Sequence, residues 1–363
     1  MKHLDHHRKS DAVNKFAEDL QSRIVGQDKA LNELVTSFSR LTSGIRNPER
    51  PLLCLLFMGP TGVGKTETVK ILAKTVFGSK KAFTRVNCQE FASPHQVAKL
   101  LGSPPGYVGS DVEPILSQNN VDRHHKEAFD KKHGVFHREK GYVDKFFPNE
   151  KDHFLSIVLF DEVEKADPVL WHSILGILED GHLTLGNNGE VDFTRSIIIL
   201  TSNVGSVEMS NLLKGQLGFG AHANLDRDIE EEALKAARAI FPYEFLNRFD
   251  SMVVFQSLKK QDLFRILDIY IADLHSRVVE TDSPFILECT PHVKQFLVDE
   301  GTDARFGARP LRRVFEKHVV NPLSNLISTN QIRQGDLISA KLEHGKIVFV
   351  RESKAKEGLL VAK

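Results

Sequence analysis

The eight residues Gly59-Pro60-Thr61-Gly62-Val63-Gly64-Lys65-Thr66 restrict the fold more than any other stretch of the chain. An apolar run over residues 52–58 leads directly into them, and a helical pattern carried by Val69, Leu72, Ala73 and Val76 follows. Strand, glycine-rich turn, helix is the setting of a phosphate-binding loop. The glycines let successive backbone N–H groups turn inward, and the helix N-terminus adds its positive end. In such a loop Lys65 neutralises the β- and γ-phosphates and the Thr66 hydroxyl ligates Mg²⁺. A glycine-rich turn without a ligand is the plain alternative, and the full pattern in this setting argues against it.

The other nucleotide signals lie downstream. Residues 155–160 form an apolar run ending in Asp161-Glu162. In a parallel sheet that run delivers one acid to hold Mg²⁺ beside the loop and a second to polarise an attacking water. Residues 197–200 form another apolar run and end in Thr201-Ser202-Asn203, whose amide can position water against the γ-phosphate. With residues 82–87 and 251–255, these runs predict a five-stranded sheet. Ile24-Val25, beside a phosphate loop, suggests an apolar pocket for adenine. Ser103-Pro104-Pro105-Gly106-Tyr107-Val108-Gly109 excludes regular structure but carries Tyr107 and Val108 at its tip, as a buried anchor or as a nucleotide-responsive loop.

Residues 111–153 are densely charged, with five histidines (His124, His125, His133, His137, His153) and little sustained apolar period. They read as a partly flexible surface insertion whose histidines are solvated charge, with metal binding as the alternative. From residue 258 the pattern changes. Helices over 262–279, 291–300 and 310–327 and a strand pair at 335–341 and 346–351 predict a separate smaller domain.

Bulk properties bound the partners. Lys+Arg and Asp+Glu are each 48 among 363 residues, so no global field favours nucleic acid or an anionic membrane. Cys54, Cys88 and Cys289 have neither metal nor disulfide spacing and read as small apolar residues of a reducing compartment. The basic, His-rich first residues lack the apolar centre of a signal peptide. No apolar run is long enough to span a membrane. The expectation is a soluble, cytoplasmic protein.

Taken in order, Gly59 to Thr66 with Glu67, Gly106-Tyr107-Val108-Gly109, Asp161-Glu162-Val163-Glu164-Lys165-Ala166, Thr201-Ser202-Asn203, Phe245-Leu246-Asn247-Arg248-Phe249-Asp250 and Gly307-Ala308-Arg309-Pro310-Leu311-Arg312-Arg313 form one series. That series resembles the second ATPase module of Clp-type AAA+ unfoldases, the ClpA/ClpB/ClpC group. The likeness runs from residue 24 to about residue 351, apart from 111–153.

The resemblance implies an α/β P-loop large domain, with a five-stranded parallel sheet and helices on both faces, followed by a smaller, mostly helical α+β domain. The implied boundaries are an N-terminal extension over 1–22, the large domain over 23–256, the small domain over 257–351 and a tail over 352–363. It implies ATP and Mg²⁺ as cofactors. Lys65 and Thr66 match the Walker A lysine and metal ligand, and Asp161 and Glu162 match the Walker B acids, with Glu162 as base. Asn203 matches sensor 1. Arg248 matches the arginine finger that serves the neighbouring subunit, and Arg309 matches sensor 2.

Tyr107 matches the aromatic of a pore loop, and its ring is suited to gripping unfolded chain without reading sequence. A homo-hexamer acting on unfolded or tagged proteins follows, with an adaptor possible at 111–153. Leu217-Gly218-Phe219 lies where relatives dock a ClpP-like peptidase, and it also fits a loop that tucks into its own domain. A first ATPase module, a middle domain and a substrate-recognising N-terminal domain are not seen in the sequence, which suggests a stand-alone single ring working with a partner. The alternative function is a nucleotide-gated scaffold that loads or releases one dedicated partner. A nucleic-acid motor is disfavoured by the neutral charge and the lack of a basic aromatic groove.

Overall fold

The computed structural model describes residues 9–43, 47–103, 106, 110, 112–130, 135–136, 155–215, 225–281, 283–303 and 307–354. The chain divides into two compact units. One comprises residues 1–60 and 64–256, and the other comprises residues 257–363 together with Thr61–Val63.

In the first unit, helices α1 (Asp11–Gln21) and α2 (Asp28–Thr42) precede strand β1 (Leu53–Met58) and helix α3 (Lys65–Phe77). Then come β2 (Thr84–Asn87), α4 (Pro94–Leu101), α5 (Gln118–Ala128) and the two-residue strands β3 (Phe129–Asp130) and β4 (Val135–Phe136). After β5 (Ser156–Asp161) follow α6 (Pro168–Asp180), the hairpin β6 (His182–Thr184) and β7 (Glu190–Asp192), and β8 (Ser196–Ser202). Helices α7 (Ser206–Gly215), α8 (Leu225–Ile240) and α9 (Tyr243–Leu246) lead to β9 (Ser251–Val254).

The main sheet has the order β2-β5-β8-β1-β9, and its neighbouring strands pair in parallel. Every residue of β1, β5 and β8 is buried, so both faces of these strands are covered. That is why their sequences are continuous apolar runs rather than alternations. Cys54, Leu56 and Met58 share a core with Leu170, Ile174 and Ile177 of α6. β1 is flanked by β8, the third of the strands that follow it in the sheet, and by β9, the last. The strand order therefore turns back beside β1, and open α/β sheets bind ligands at such points, outside the carboxyl ends of the strands.

The first part of the segment read as a surface insertion lies inside. Leu116 and Val121 are each 1% exposed and belong to the main core. Thr84 Oγ1 donates to the Asn120 carbonyl at 2.9 Å, tying α5 to β2. The polar stretch around them hid these two apolar anchors. The rest of the segment, residues 131–134 and 137–153, lies outside the described residues.

The second unit holds α10 (Lys260–Val279), β10 (Ile286–Cys289), α11 (Pro291–Glu300), α12 (Arg309–Phe315), α13 (Asn321–Ser328), β11 (Asp336–Glu343) and β12 (Lys346–Lys354). Its sheet has the order β10-β11-β12, with β10 parallel and β12 antiparallel to β11. β10 adds a third strand to the pair read from the sequence. The single helix expected over 310–327 is interrupted by a π-helical stretch, Glu316–Val320. Pro322, at the start of α13, has no N–H for the preceding turn, and local re-winding accommodates that loss. Leu263, Leu267, Val293, Leu297, Leu311 and Phe315 form this unit's core. Among the described residues no helix is long and apolar enough to cross a membrane.

Candidate functional site

The glycine loop leaves β1 at Gly59, where φ is +134° and a Cβ would stand 2.4 Å from the Phe255 carbonyl oxygen. Only glycine fits there. Gly64 caps α3 with φ +109°, and the space where its Cβ would stand is open to 4 Å. The positive end of a 13-residue helix therefore faces an unobstructed approach, as anion binding requires.

Lys65 is 7% exposed. Its Nζ donates to the carbonyls of Gly59 (2.6 Å) and Pro60 (2.7 Å) and to Asn203 Oδ1 (3.1 Å). β5 and β8 run side by side, and their ends complete the cluster. Asp161, 5% exposed, accepts at Oδ1 from Thr201 Oγ1 (2.5 Å) and Thr66 Oγ1 (3.2 Å). Its Oδ2 accepts from Arg85 of β2, from Nε at 3.1 Å and from the terminal nitrogen at 2.6 Å.

Thr201 also accepts the Glu162 backbone N–H, at 3.0 Å. Glu162 takes the left-handed conformation, with φ 60° and ψ 52°. A non-glycine residue held there turns the chain sharply off the strand. Glu164 Oε1 accepts from both the backbone N–H (3.1 Å) and Nδ2 (3.2 Å) of Asn203.

Cys88 lies near this cluster. Burial first, then the charges of Asp161, Glu164 and Glu162, push its thiol far above its ordinary range. It is a space-filling residue, not a nucleophile.

The structure thus brings Gly59, Lys65, Thr66, Asp161, Glu162 and Asn203 together at the carboxyl ends of adjoining strands. Ile24 and Val25 are buried at 6% each between α1 and α2. Glu67 directs its carboxylate to Lys70 (3.4 Å) and Lys80 (3.3 Å). Arg248 follows α9, 34% exposed at its side chain, and forms an ion pair at 2.6 Å with Glu179 in the last turn of α6. Arg50 donates to the Arg248 carbonyl at 2.7 Å. In the second unit Arg309 is the exposed first residue of α12. Tyr107, Val108, Leu217, Gly218 and Phe219 lie outside the described residues.

Four partners of the site carry no role in the sequence reading: Arg85, Thr201, Glu164 and Glu179. Thr201 and Glu164 stood within quoted motifs, while Arg85 and Glu179 gave no signal. The residues fit a magnesium ion. Thr66 Oγ1 and Asp161 Oδ1 are adjacent hard oxygen donors of the kind that ion takes.

The family model described as AAA domain (Cdc48 subfamily) matches residues 50–127 and 126–252. The model of the C-terminal, D2-small domain of ClpB protein matches residues 258–340. The chain is an AAA+ ATPase of the Clp type. All of α5 falls within these two matches, as does Leu116 just before it.

Among curated relatives, Chaperone protein ClpB of Rhodopseudomonas palustris is 35% identical over 335 residues, which is 92% of this chain and 34% of that protein. ClpC/MecB of Bacillus subtilis, a negative regulator of genetic competence, is 33% identical over 95% of this chain and 39% of its own length. This AAA+ chain therefore spans roughly a third of the length of these relatives. A solved S. cerevisiae Hsp104:casein complex, in its extended conformation, superposes with a TM-score of 0.75 at 30% identity. It covers 95% of this chain and 53% of the Hsp104 chain.

Proposed function

We propose that the chain is the motor of an ATP-driven protein remodeller that works as a ring, most simply a homo-hexamer, and draws polypeptide past Tyr107. The observation that carries the catalytic part is the bonded cluster of Lys65, Asn203, Thr66 and Asp161 at the strand ends. The remodelling part is supported by the likeness to ClpB and to Hsp104 solved with casein.

In this reading the N-terminus of α3 and Lys65 hold the phosphates, and Ile24 and Val25 pack against adenine. Thr66 and Asp161 would hold Mg²⁺, which supplies positive charge to the phosphate oxygens. Glu162 takes the proton of the attacking water, Asn203 orients that water, and Arg309 answers to the nucleotide of its own subunit. Arg248 acts across the subunit boundary, because a guanidinium supplied in trans makes hydrolysis depend on the ring.

Two variants test the reading. Glu162→Gln keeps ATP binding and assembly and loses turnover. Tyr107→Ala keeps turnover and loses remodelling of a misfolded substrate; unchanged remodelling in Tyr107→Ala refutes threading. For an adaptor at the insertion, excision confined to residues 137–153 spares the core anchors Leu116 and Val121. Loss of partner binding with turnover intact is the outcome that supports the adaptor.

A further inference from the structure

An asparagine amide presents two ends of nearly equal shape and opposite hydrogen-bonding character. If Asn203 serves as proposed above, which end points toward the phosphate side decides what it can do. In this chain that choice is fixed by Glu164, three residues beyond Asp161 on the turn that leaves β5. One carboxylate oxygen, Oε1, collects both the backbone N–H of Asn203 at 3.1 Å and its Nδ2 at 3.2 Å. A carboxylate only accepts, so Nδ2 is drawn to Glu164 and Oδ1 is turned toward the Lys65 ammonium, 3.1 Å away. The reversed amide would set its NH₂ against an ammonium and its oxygen against a carboxylate, two mismatches at once.

The other oxygen, Glu164 Oε2, is buried and has no hydrogen-bond partner among the described residues. A carboxylate with one oxygen left bare in the interior is a poor way to stabilise a fold. Its contribution therefore lies in what Oε1 holds. We propose that Glu164 is the positioning residue for Asn203, a clamp that sets the orientation of the amide for hydrolysis and adds nothing to nucleotide binding. The proposal rests on the reading of Asn203 as the residue that orients water.

The test uses the full chain with ATP, reading turnover and, separately, affinity for a fluorescent ATP analogue. Glu164→Asp keeps the charge but withdraws the oxygen by one methylene. Glu164→Gln keeps the reach and an acceptor oxygen but loses the charge. The clamp predicts that Glu164→Asp lowers kcat about tenfold (~1.4 kcal/mol) with analogue affinity held within about twofold. Glu164→Gln recovers most of that loss. The double variant Glu164→Asp/Asn203→Ala is no slower than Asn203→Ala alone, because a residue that acts only through Asn203 has nothing left to hold.

Multiplied losses in the double variant overturn the proposal. So does a Glu164→Gln protein slower than Glu164→Asp, or parental turnover in Glu164→Asp. Should Asn203→Ala itself hydrolyse ATP at the parental rate, the role given to Asn203 fails first. If Asn203→Ala is slow and Glu164→Asp is not, only the clamp fails.

Discussion

The strand-end cluster and the outlying Arg248 are built on opposite principles. At the strand ends, Lys65 and Asp161 are almost fully buried, and each has its hydrogen-bonding capacity met by two or more groups of the same unit. Before β9, at the amino-terminal side of the sheet, Arg248 stands a third exposed with the Glu179 carboxylate on its guanidinium. The inner part is complete within one chain, because buried charge is tolerated only when its partners come with the fold. An exposed pair adds little to folding, so under the proposed function Arg248 is free to exchange Glu179 for a phosphate of the neighbouring subunit.

The sharpest way to break this contrast is at Arg248. Arg248→Ala is expected to lower turnover about a thousandfold while nucleotide affinity stays within a few fold. Mixing it with Glu162→Gln protein should restore part of the activity, since some interfaces then pair an intact arginine with an intact carboxylate. No recovery at any mixing ratio means Arg248 does not act between chains. Inside, Lys65→Ala should weaken nucleotide binding on the order of a hundredfold, ~2.7 kcal/mol, and no mixing rescues that subunit.

A smaller effect comes from the thiols packed into the same interior. Burial is the main reason that the Cys54 and Cys88 thiols lie above their ordinary value of 9.0. The folded chain therefore keeps them protonated, while the unfolded chain ionises them. Stability from this source is complete below that value and falls as pH rises beyond it. Between pH 8 and pH 9.5 the loss from the two thiols together should be about 1.6 kcal/mol. Denaturant midpoints should show it shrinking in Cys54→Ala/Cys88→Ala. The smallest effect belongs to Glu179→Ala, which should change unfolding free energy by less than about 1 kcal/mol, as expected for an exposed pair. A larger change would mean that this pair is as much a part of the folded core as the buried cluster.

The same contrast governs what was legible in the sequence. β1, β5 and β8 could be read because strands covered on both faces require unbroken apolar runs. The loop from Gly59 to Thr66 could be read because its backbone admits few alternatives. β10 was missed because Ile286 and Leu287 make too short an apolar run to stand out beside the long strands. The stretch around α5 was taken for a surface insertion because Leu116, just before the helix, and Val121, within it, are two apolar residues in a polar segment, and periodicity cannot register so few. The π-helical stretch before Pro322 was read as continuous helix, since the apolar spacing tolerates it. Arg85, Thr201 and Glu164 act through where their side chains end, and neither composition nor spacing encodes that.

One consequence of the Lys65 geometry concerns the energetics of filling the loop. Its ammonium already has the Gly59 and Pro60 carbonyls and the Asn203 oxygen as ligands. Under the proposed function, a phosphate arriving there displaces neutral dipoles from a cation that is already solvated by protein. Occupancy of this loop is thus an exchange reaction, and its heat is the difference between two coordination shells rather than the sum of new bonds.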